Sequence, residues 1–308
     1  MLRSSANGPE DTEACPSVGI VVLNWESYND TVECLESLRK VEYPDFRVVV
    51  VDNGSTDGSG ERLAQEYAWC DFVFNEENVG FAAGNNPGID FALSAGVEYV
   101  LLLNEDTVVH EDFLTPLVET IERYDDAAAV GGVQHYFATD GIYYAGGRFF
   151  PSLGGRVSAR TEVKRPKPYA VDFVPTSMIL IDAEFVENND VLHEGYFIGM
   201  DDIDLAIQAR RDGKTVMIDP RSRIEHKIGM TSGRNPFVMY HWMRNRLHLA
   251  EERLAGFQRV LFYVGFVLTI VQFSIVWLYK GRTDLIRAAA LGIYDYISDN
   301  DFRPYEVF

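Results

Sequence analysis

The stretch from Tyr99 to Thr107 constrains the fold more than any other part of the chain. It opens with Tyr99-Val100-Leu101-Leu102-Leu103, and an uninterrupted apolar run of this length predicts a strand buried on both faces, as in parallel sheets covered by helices. The acidic pair Glu105 and Asp106 follows at the carboxyl end of that strand. Ligand crevices of open α/β sheets lie outside this end. The pair is therefore either a site for a hard cation or a solvated turn after a core strand.

Strand-like and helix-like segments alternate along the chain, which predicts a mostly parallel sheet with right-handed crossovers. Apolar, β-branched runs predict strands at 18–23, 46–51, 72–74, 99–103, 127–133, 172–181 and 215–218. Apolar residues at helical spacing predict helices over 31–38 (with Asn29 or Asp30 as N-cap), 60–67, 112–124, through 89–93 and from Asp201 onward. The segment 135–170 interrupts this alternation with aromatic, glycine and basic residues, and we interpret it either as a surface loop or as part of an acceptor pocket.

Polar residues follow several of the predicted strands or begin the helices after them. They are Asn24, Glu26, Asp52, Asn53, Asn78 and Asp106. A parallel sheet brings several of them to one edge, and loops that combine Asp, Asn and Gly suit a polar ligand with phosphates. The sequence has no G-x-x-x-x-G-K-[ST] and no G-x-G-x-x-G after the first strand, which disfavours a P-loop NTPase and a dinucleotide oxidoreductase.

The charge balance excludes one class of partner. The chain has 47 Asp and Glu against 27 Lys and Arg, a net charge of −20, so we expect no nucleic acid as a partner. Only six of the basic residues are lysine, and an acidic, lysine-poor surface suits concentrated salt, so a halophilic source is one hypothesis and plain acidity the other. The spacing of Cys15, Cys34 and Cys70 fits no zinc or redox motif.

Two features of the second half carry further ionisable groups. Asp201, Asp202 and Asp204 cluster at the start of a predicted helix, where capping explains one acid but not three. His226 follows an apolar step and is either a metal ligand or a structural histidine.

Taken together, these segments resemble the inverting GT-A glycosyltransferases of family 2, in the rhamnosyltransferase-like branch. The matching pieces are Val21–Trp25, Val50–Ser59, Asn78–Asn86, Leu101–Thr107, Asp201–Leu205 and His226, in the family's order and spacing. The resemblance implies a GT-A, Rossmann-like α/β fold: a mixed, mostly parallel sheet flanked by helices.

The resemblance also implies roles for individual residues. The donor-binding residues would be Asn24, Glu26, Asp52, Asn53, Asn78, Gly80, Phe81, Gly84, Asn85 and Asn104. Asp106, with His226 as a second ligand, would hold Mg²⁺ or Mn²⁺. Asp202 matches the catalytic base, with Asp201 beside it. Asn104-Glu105-Asp106 stands where the family usually has Asp-x-Asp, so the first acid is absent and Glu105 fills a variable position.

The C-terminal part carries an apolar segment. Val260 to Tyr279 is twenty residues without a charge, long enough for a helix of about 30 Å, roughly one hydrocarbon core. We expect a membrane-spanning helix, with an interfacial or a buried helix as the alternatives. The segment 283–298 suits an amphipathic helix on the membrane surface. The expected organisation is a disordered lead-in without a signal peptide over 1–16, a GT-A domain over 17–235, and a membrane-associated helical region over 236–308 with its membrane helix at about 260–279.

These features lead to one functional expectation and several alternatives. We expect a metal-dependent inverting transferase at the cell membrane, its catalytic domain cytoplasmic, that moves sugar from a nucleotide-sugar donor to a lipid-linked (dolichol-phosphate-type) or surface glycan acceptor. Acidity, low lysine content and membrane attachment favour haloarchaeal protein N-glycosylation, with a bacterial rhamnosyltransferase for surface polysaccharide as the closest alternative. The missing first acid favours a catalytically degenerate nucleotide-sugar-binding protein. A nucleotidyltransferase would need a glycine-rich, basic loop after the first strand, and 24–29 has none.

Overall fold

The structure is a computed structural model that describes residues 15–227 and 235–300. The predicted lead-in over 1–16 therefore lies almost entirely outside the described residues, as does the end of the C-terminal region after Asn300.

The described residues form a mixed, mostly parallel sheet flanked by helices, which confirms the predicted fold class. The strands are β1 Val18–Asn24, β2 Phe46–Asn53, β3 Asp71–Asn75, β4 Tyr99–Asn104, β5 Thr107–Val109, β6 Ala127–Tyr136, β7 Ile142–Tyr144, β8 Gly147–Phe150, β9 Arg156–Ala159, β10 Tyr169–Val171, β11 Met178–Asp182 and β12 Thr215–His226. The helices are α1 Tyr28–Leu38, α2 Ser59–Glu66, α3 Phe81–Ser94, α4 Leu114–Arg123, α5 Ala183–Asn188, α6 Asp201–Arg211, α7 Pro236–Arg253, α8 Gly256–Tyr279 and α9 Thr283–Ile297, with a 3₁₀ turn at Pro151–Leu153.

The sheet has the order β10-β12-β6-β11-β4-β1-β2-β3, with β5 paired to β12 and β7 to β6, while β8 and β9 form a separate hairpin. The pairs β4–β1, β1–β2 and β2–β3 are parallel, and so is β6–β12. β11 is antiparallel to both β4 and β6, so β6 and β12 run in the same direction as β4. The carboxyl ends of these six strands and the amino end of β11 consequently lie at one edge of the sheet, called here the carboxyl edge.

The core explains why the central strands are continuously apolar. Alternate residues of a strand point to opposite faces. On one face, Val21, Val51 and Leu102 belong to a cluster that also contains Ile89 of α3. On the other face, neighbouring strand residues join a cluster with Leu35 of α1. Both faces are covered, so polar groups on these strands are tolerated only where the strands end.

Three local predictions differ from the structure. The N-cap of α1 is Ser27, so the prediction of Asn29 or Asp30 is wrong; both lie inside the helix. The strand predicted from Asp172 begins only at Met178, because Pro175 has no N–H for a sheet ladder and its carbonyl accepts from the Met178 N–H at 3.3 Å in a turn.

The strand predicted at 215–218 continues past Pro220 to His226 as the single strand β12. A register shift between Ile218 and Arg223 accommodates the proline, which fits the usual place of proline in a sheet. The segment 135–170, interpreted from sequence as an excursion or loop, contains four short strands and the 3₁₀ turn. Its strands β8 and β9 form the hairpin against which the C-terminal helices pack.

Helix α8 is, among the described residues, the one helix long and apolar enough to cross a membrane, with a mean hydropathy of 2.1 in its apolar window. A single helix of this kind is weak evidence for membrane association. Its middle rests on the 3₁₀ turn: a Cβ on Gly265 would lie 2.2 Å from the Ser152 carbonyl oxygen, and the Thr269 hydroxyl donates to the Leu153 carbonyl at 3.0 Å. The opposite face is exposed and apolar. Its large exposed residues are Phe257, Val260, Leu261, Val264, Val267, Leu268, Val271, Ile275 and Leu278.

We predict that Gly88→Ala in α3 destabilises the protein by about 1–3 kcal/mol, because overpacking forces neighbouring atoms apart. The added Cβ would lie 2.4 Å from Val51 Cγ2 and 2.7 Å from Val21 Cγ1. Urea unfolding followed by circular dichroism measures the change. Asp90→Ala, at an exposed position of the same helix, is the control and should change stability little. Equal stability of both variants would contradict the close packing of α3 on the sheet.

Candidate functional site

The ends of β1 and β2 form a buried polar network around Asp52. Asn24 is fully buried, and its Nδ2 donates to Asp52 Oδ1 at 2.7 Å and to Ser59 Oγ at 3.1 Å. The Thr31 hydroxyl donates to Asn24 Oδ1 at 2.9 Å, and the Ser55 N–H donates to Asp52 Oδ2 at 3.1 Å. Asn24 therefore acts as a scaffold that fixes the Asp52 carboxylate. Both Asp52 oxygens still have acceptor capacity for a ligand.

Glu26 lies at the exposed rim of this network, with a φ of 51° that is uncommon for a residue other than glycine. Its N–H donates to Ser55 Oγ at 3.0 Å, and its carboxylate accepts from the Thr56 hydroxyl at 2.8 Å. Of the acids predicted to bind the donor, Glu26 is the accessible one.

A second buried network surrounds Asn53 at the end of β2. Asn53 Nδ2 donates to Asn78 Oδ1 at 3.0 Å and to the Gly80 carbonyl at 3.1 Å, while Asn53 Oδ1 accepts from Asn75 at 3.0 Å. A Cβ on Gly84 would lie 2.9 Å from Asn53 Nδ2. Asn53 therefore shapes the loop before α3, and glycine at 84 allows the helix to approach it.

The loop before α3 is also tied to the chain segment that leads into α6. Gly80 has a φ of 90°, and a Cβ there would lie 2.5 Å from the Phe197 carbonyl oxygen. That oxygen accepts from the Phe81 N–H at 2.6 Å. Asn85 bonds within the helix, to the Phe81 carbonyl at 2.8 Å. Gly80 and Phe81 thus position the loop by their backbone, next to the segment before Asp201.

Asp106 and His226 meet at the carboxyl edge, as the sequence predicts for two ligands of one site. The pairing of β5 with β12 sets His226 opposite Thr107, and His226 Nε2 lies 3.0 Å from Asp106 Oδ1. The other ring nitrogen, Nδ1, lies 3.2 Å from Gln134 Oε1. Gln134 is fully buried, and its Nε2 donates to Ser177 Oγ at 2.9 Å.

This arrangement fits a cation. Since Gln134 Oε1 is an acceptor, Nδ1 of a neutral His226 carries the proton, and the Nε2 lone pair then faces the Asp106 carboxylate. Asp106 Oδ1 is buried and has no hydrogen-bond partner within residues 15–227 and 235–300. Two acceptors that face each other need either a proton or a shared cation. The described residues contain no group of three or more His, Cys, Asp or Glu side chains suited to a metal ion, so this pair would hold it with further oxygen ligands from elsewhere.

The neighbouring residues add a second carboxyl group and an unsatisfied acceptor. Burial, with the Asp106 carboxylate beside it, raises the pKa of Glu105 to about 8. Asn104 Oδ1 is buried without a partner in the described part of the chain. The structure therefore puts an amide, in place of an acid, next to the Asp106–His226 pair.

A second acidic pair, Asp201 and Asp202, begins α6, as predicted. Asp201 is 4% exposed and accepts from the Thr176 hydroxyl at 2.5 Å. Asp202 is half-buried, and its Oδ1 accepts from the Ile203 N–H at 2.8 Å. Burial raises the pKa of both carboxyls; that of Asp202 lies well above its usual range, with the Asp201 carboxylate as the second cause. Thr176 holds Asp201 in place, and Asp202 is the more exposed carboxyl of the two.

Asp204, the third acid of the cluster, has a structural role. It is fully buried and forms a two-point ion pair with Arg253 of α7, whose Nη2 lies 2.8 Å from Asp204 Oδ2. This ion pair joins α6 to the C-terminal helices. It does not face Asp106 and His226.

Tyr143 of β7 is a site residue that the sequence reasoning missed. Its ring meets the His226 ring edge to face, with centroids 6.0 Å apart. Burial raises the pKa of Tyr143, and the charges of Tyr136, Asp202 and Asp106 raise it further. Tyr143 therefore lies within electrostatic reach of both the Asp106–His226 pair and Asp202. The aromatic run at 142–144 was the available signal, but it lay in a segment without a predicted strand.

Comparison with known proteins assigns the chain to a family. The profile of glycosyl transferase family 2 matches residues 17–188, more than half of the chain, so the chain belongs to this family. It is 30% identical over 131 residues to glycosyltransferase GlyG of Streptococcus pneumoniae, covering 41% of this chain and 42% of that protein. It is 25% identical over 213 residues to the N-acetylglucosaminyl-diphospho-decaprenol L-rhamnosyltransferase of Mycobacterium tuberculosis, covering 61% and 69%.

Solved structures support the GT-A fold. GalNAc-T7 with UDP, GalNAc and Mn²⁺ matches with a TM-score of 0.63 at 16% identity, over 95% of this chain and 59% of that one. The mannosyltransferase PcManGT of Pyrobaculum calidifontis with GDP-Man and Mn²⁺ matches with a TM-score of 0.58 at 15% identity, over 94% and 90%. Among the relatives compared by sequence, the chain spans less than half of the length of the pneumococcal GlyG.

We predict that Gln134→Leu weakens divalent metal binding by about 10–100-fold, as expected when a histidine ligand loses the acceptor that orients it. Isothermal titration with Mn²⁺ in the presence of a nucleoside diphosphate measures the affinity. Gln134→Glu keeps an acceptor for His226 Nδ1 and should retain most of the binding. Unchanged affinity in Gln134→Leu would remove His226 from the metal site.

Proposed function

We propose that the chain is an inverting glycosyltransferase that moves a sugar from a nucleotide-sugar donor to a lipid-linked or surface glycan. The observation that carries the proposal is that one edge of the sheet presents both the Asp106–His226 pair and the buried carboxyls of Asp201 and Asp202, with the Tyr143 ring against His226. Family membership and the fold support it. The cytoplasmic placement, the dolichol-phosphate type of acceptor and haloarchaeal N-glycosylation are finer hypotheses; the last rests on acidity, low lysine content and membrane attachment.

The donor would lie along the carboxyl edge. Asp52, fixed by Asn24, would accept hydrogen bonds from the base or ribose, with Glu26 at the rim. The buried Asn53 and Asn85 and the partly buried Asn78 would support the loop by their bonds within the protein, and Gly80 and Gly84 would allow the backbone to come close.

A divalent cation, Mg²⁺ or Mn²⁺, fits the facing acceptors of Asp106 and His226, with Asn104 Oδ1 close in sequence as a further acceptor. When bound, it would neutralise charge on the leaving diphosphate. The missing first acid favours the alternative of a degenerate sugar-nucleotide-binding protein, whereas the burial and raised pKa of Asp202 favour catalysis.

Asp202 would remove the proton from the acceptor hydroxyl as its oxygen attacks the anomeric carbon. The bond to the diphosphate breaks on the opposite face, so a single displacement inverts the anomeric configuration. Asp201, held by Thr176, would keep negative charge beside Asp202 and so raise its basicity.

We propose that α8 associates with the membrane by lying in its interface. A spanning helix would place the 3₁₀ turn that packs on Gly265 near the middle of the bilayer, where lipid-exposed irregular backbone is not tolerated. An interfacial helix instead buries only its exposed apolar face. The packing thus favours the interfacial alternative over the spanning helix expected from sequence.

We predict that Asp202→Asn abolishes sugar transfer and leaves nucleoside diphosphate binding within about twofold. Because the base acts unprotonated and its pKa is raised, kcat/KM of the unchanged protein should rise with pH above the usual carboxyl range. A donor panel with Mn²⁺ and an acceptor mixture, followed by mass spectrometry, measures transfer. Turnover in Asp202→Asn would refute the base assignment.

Stability gives an independent check on Asp202. The folded carboxyl keeps its proton to higher pH than the unfolded one, so between these two pKa values stability falls as pH rises. We therefore expect Asp202→Asn to raise the melting temperature at pH 7 and to change it little near pH 3.5, below the unfolded pKa. Equal effects at both pH values would contradict the raised pKa.

We predict that Ala255→Cys and Lys280→Cys, at the two ends of α8, react with a membrane-impermeant maleimide from the same side of the membrane. The protein would be bound to vesicles of phosphatidylcholine and phosphatidylglycerol. Labelling of the two cysteines from opposite sides would establish a spanning helix. In the same assay Leu268→Glu, on the exposed apolar face, should reduce vesicle binding, whereas Val163→Glu on the catalytic domain should not.

A further inference from the structure

A cavity of about 420 Å³ lies between α7, α8 and the β8–β9 hairpin. It lies away from Asp106 and His226, neither of which lines it. Arg156 and Arg246 line it together with the aromatic residues Phe150, Trp242 and Phe273. We call it the arginine cavity.

Arg246 has a charge that no acidic side chain among residues 15–227 and 235–300 balances. It is 2% exposed, and its Nε and Nη1 have no hydrogen-bond partner in the described residues. Its guanidinium lies over the Trp242 ring, 5.5 Å from the centroid. Burial and the nearby Arg156 lower the pKa of Arg246 to about 10, so it remains charged at neutral pH. A buried unpaired cation is costly, and an anion between the two arginines would relieve that cost.

Helix α7 connects the arginine cavity to the segment just before Asp201 and Asp202. Asn245 Nδ2 donates to the Ile198 and Gly199 carbonyls at 3.0 Å each. A Cβ on Gly199 would lie 2.9 Å from Trp242 Nε1. Since Gly199 precedes Asp201 by two residues, a ligand in the arginine cavity would sit directly behind the segment that positions the catalytic base.

The cavity also adjoins the apolar surface. Phe273 belongs to α8, and the Arg156 guanidinium lies 5.0 Å from its ring centroid. Leu153, another lining residue, is 46% exposed next to the same helix. A ligand with a phosphate in the cavity could therefore continue as a hydrocarbon chain along α8.

We propose that the arginine cavity binds the phosphate group of an isoprenoid-type acceptor lipid, between Arg156 and Arg246. The proposal rests on the proposed function, because it assigns the lipid part of the acceptor to a site. Guanidinium groups bind phosphate through paired hydrogen bonds, and the aromatic lining suits the first carbons of the chain.

The test uses the purified full chain in EDTA, so that the metal site cannot hold phosphates. Farnesyl diphosphate, inorganic pyrophosphate and farnesol are the three probes, and calorimetry measures their binding. We expect farnesyl diphosphate to bind more tightly than pyrophosphate, and farnesol to bind weakly. Equal affinity for farnesyl diphosphate and pyrophosphate would show a site for free phosphate and overturn the lipid assignment, as would tight binding of farnesol.

Two variants and a control locate the site. Arg246→Met and Arg156→Gln should each weaken farnesyl diphosphate binding about tenfold or more. Arg148→Gln changes an exposed arginine of the same hairpin outside the cavity and should stay within about twofold. Arg246→Met should also leave the unliganded melting temperature unchanged or raise it, because it removes an unpaired buried charge. A lower melting temperature in Arg246→Met, or unchanged binding in both variants, would overturn the proposal.

Donor binding separates this proposal from the proposed function. Nucleoside diphosphate binding with Mn²⁺ should be the same in Arg246→Met, Arg156→Gln and the unchanged protein. If the unchanged protein binds the nucleotide but not farnesyl diphosphate, the arginine cavity fails as a lipid site and the glycosyltransferase assignment stands. If no nucleoside diphosphate binds, the proposed function fails.

Discussion

The carboxyl edge of the sheet brings together four carboxyl groups whose charged forms its own side chains do not fully stabilise. Within the described residues, His226 Nε2 lies 3.0 Å from Asp106 Oδ1 as a facing acceptor, and burial raises the pKa values of Glu105, Asp201 and Asp202, which disfavours their charged forms. The fold forces these groups together because the strands that carry them end at one edge. Such an edge is stable in its charged form when a cation arrives with a ligand, which suits a metal-bound diphosphate donor.

Behind the carboxyl edge lies a region with an excess of positive charge. The arginine cavity holds two cations, and α7 connects it to the backbone just before the acidic pair. One helix therefore separates a region that requires positive charge from one that requires negative charge. A donor with a metal and an acceptor with a phosphate would together neutralise both, which gives a physical reason for the two substrates to bind on either side of Asp202.

The sequence predicted the central strands well because their burial on both faces leaves a continuous apolar signal. It placed Asp106 and His226 together through the family resemblance, but the register that joins them depends on the long-range pairing of β5 with β12. Tyr143 could not be assigned, because its strand is three residues long and pairs only through tertiary contacts. The sequence left Asp204 without a role, because its buried pairing with Arg253 depends on a contact between two helices far apart in the chain. Neither that ion pair nor the buried position of Arg246 leaves a periodic signal in the sequence.

The most direct measurement of the central claim is the anomeric configuration of the transferred sugar, determined by proton NMR of the product formed with the accepted donor. A single displacement with Asp202 as base, and no nucleophile from the protein, predicts an inverted configuration. A retained configuration would require a second displacement or a front-side mechanism, and would contradict the role assigned to Asp202.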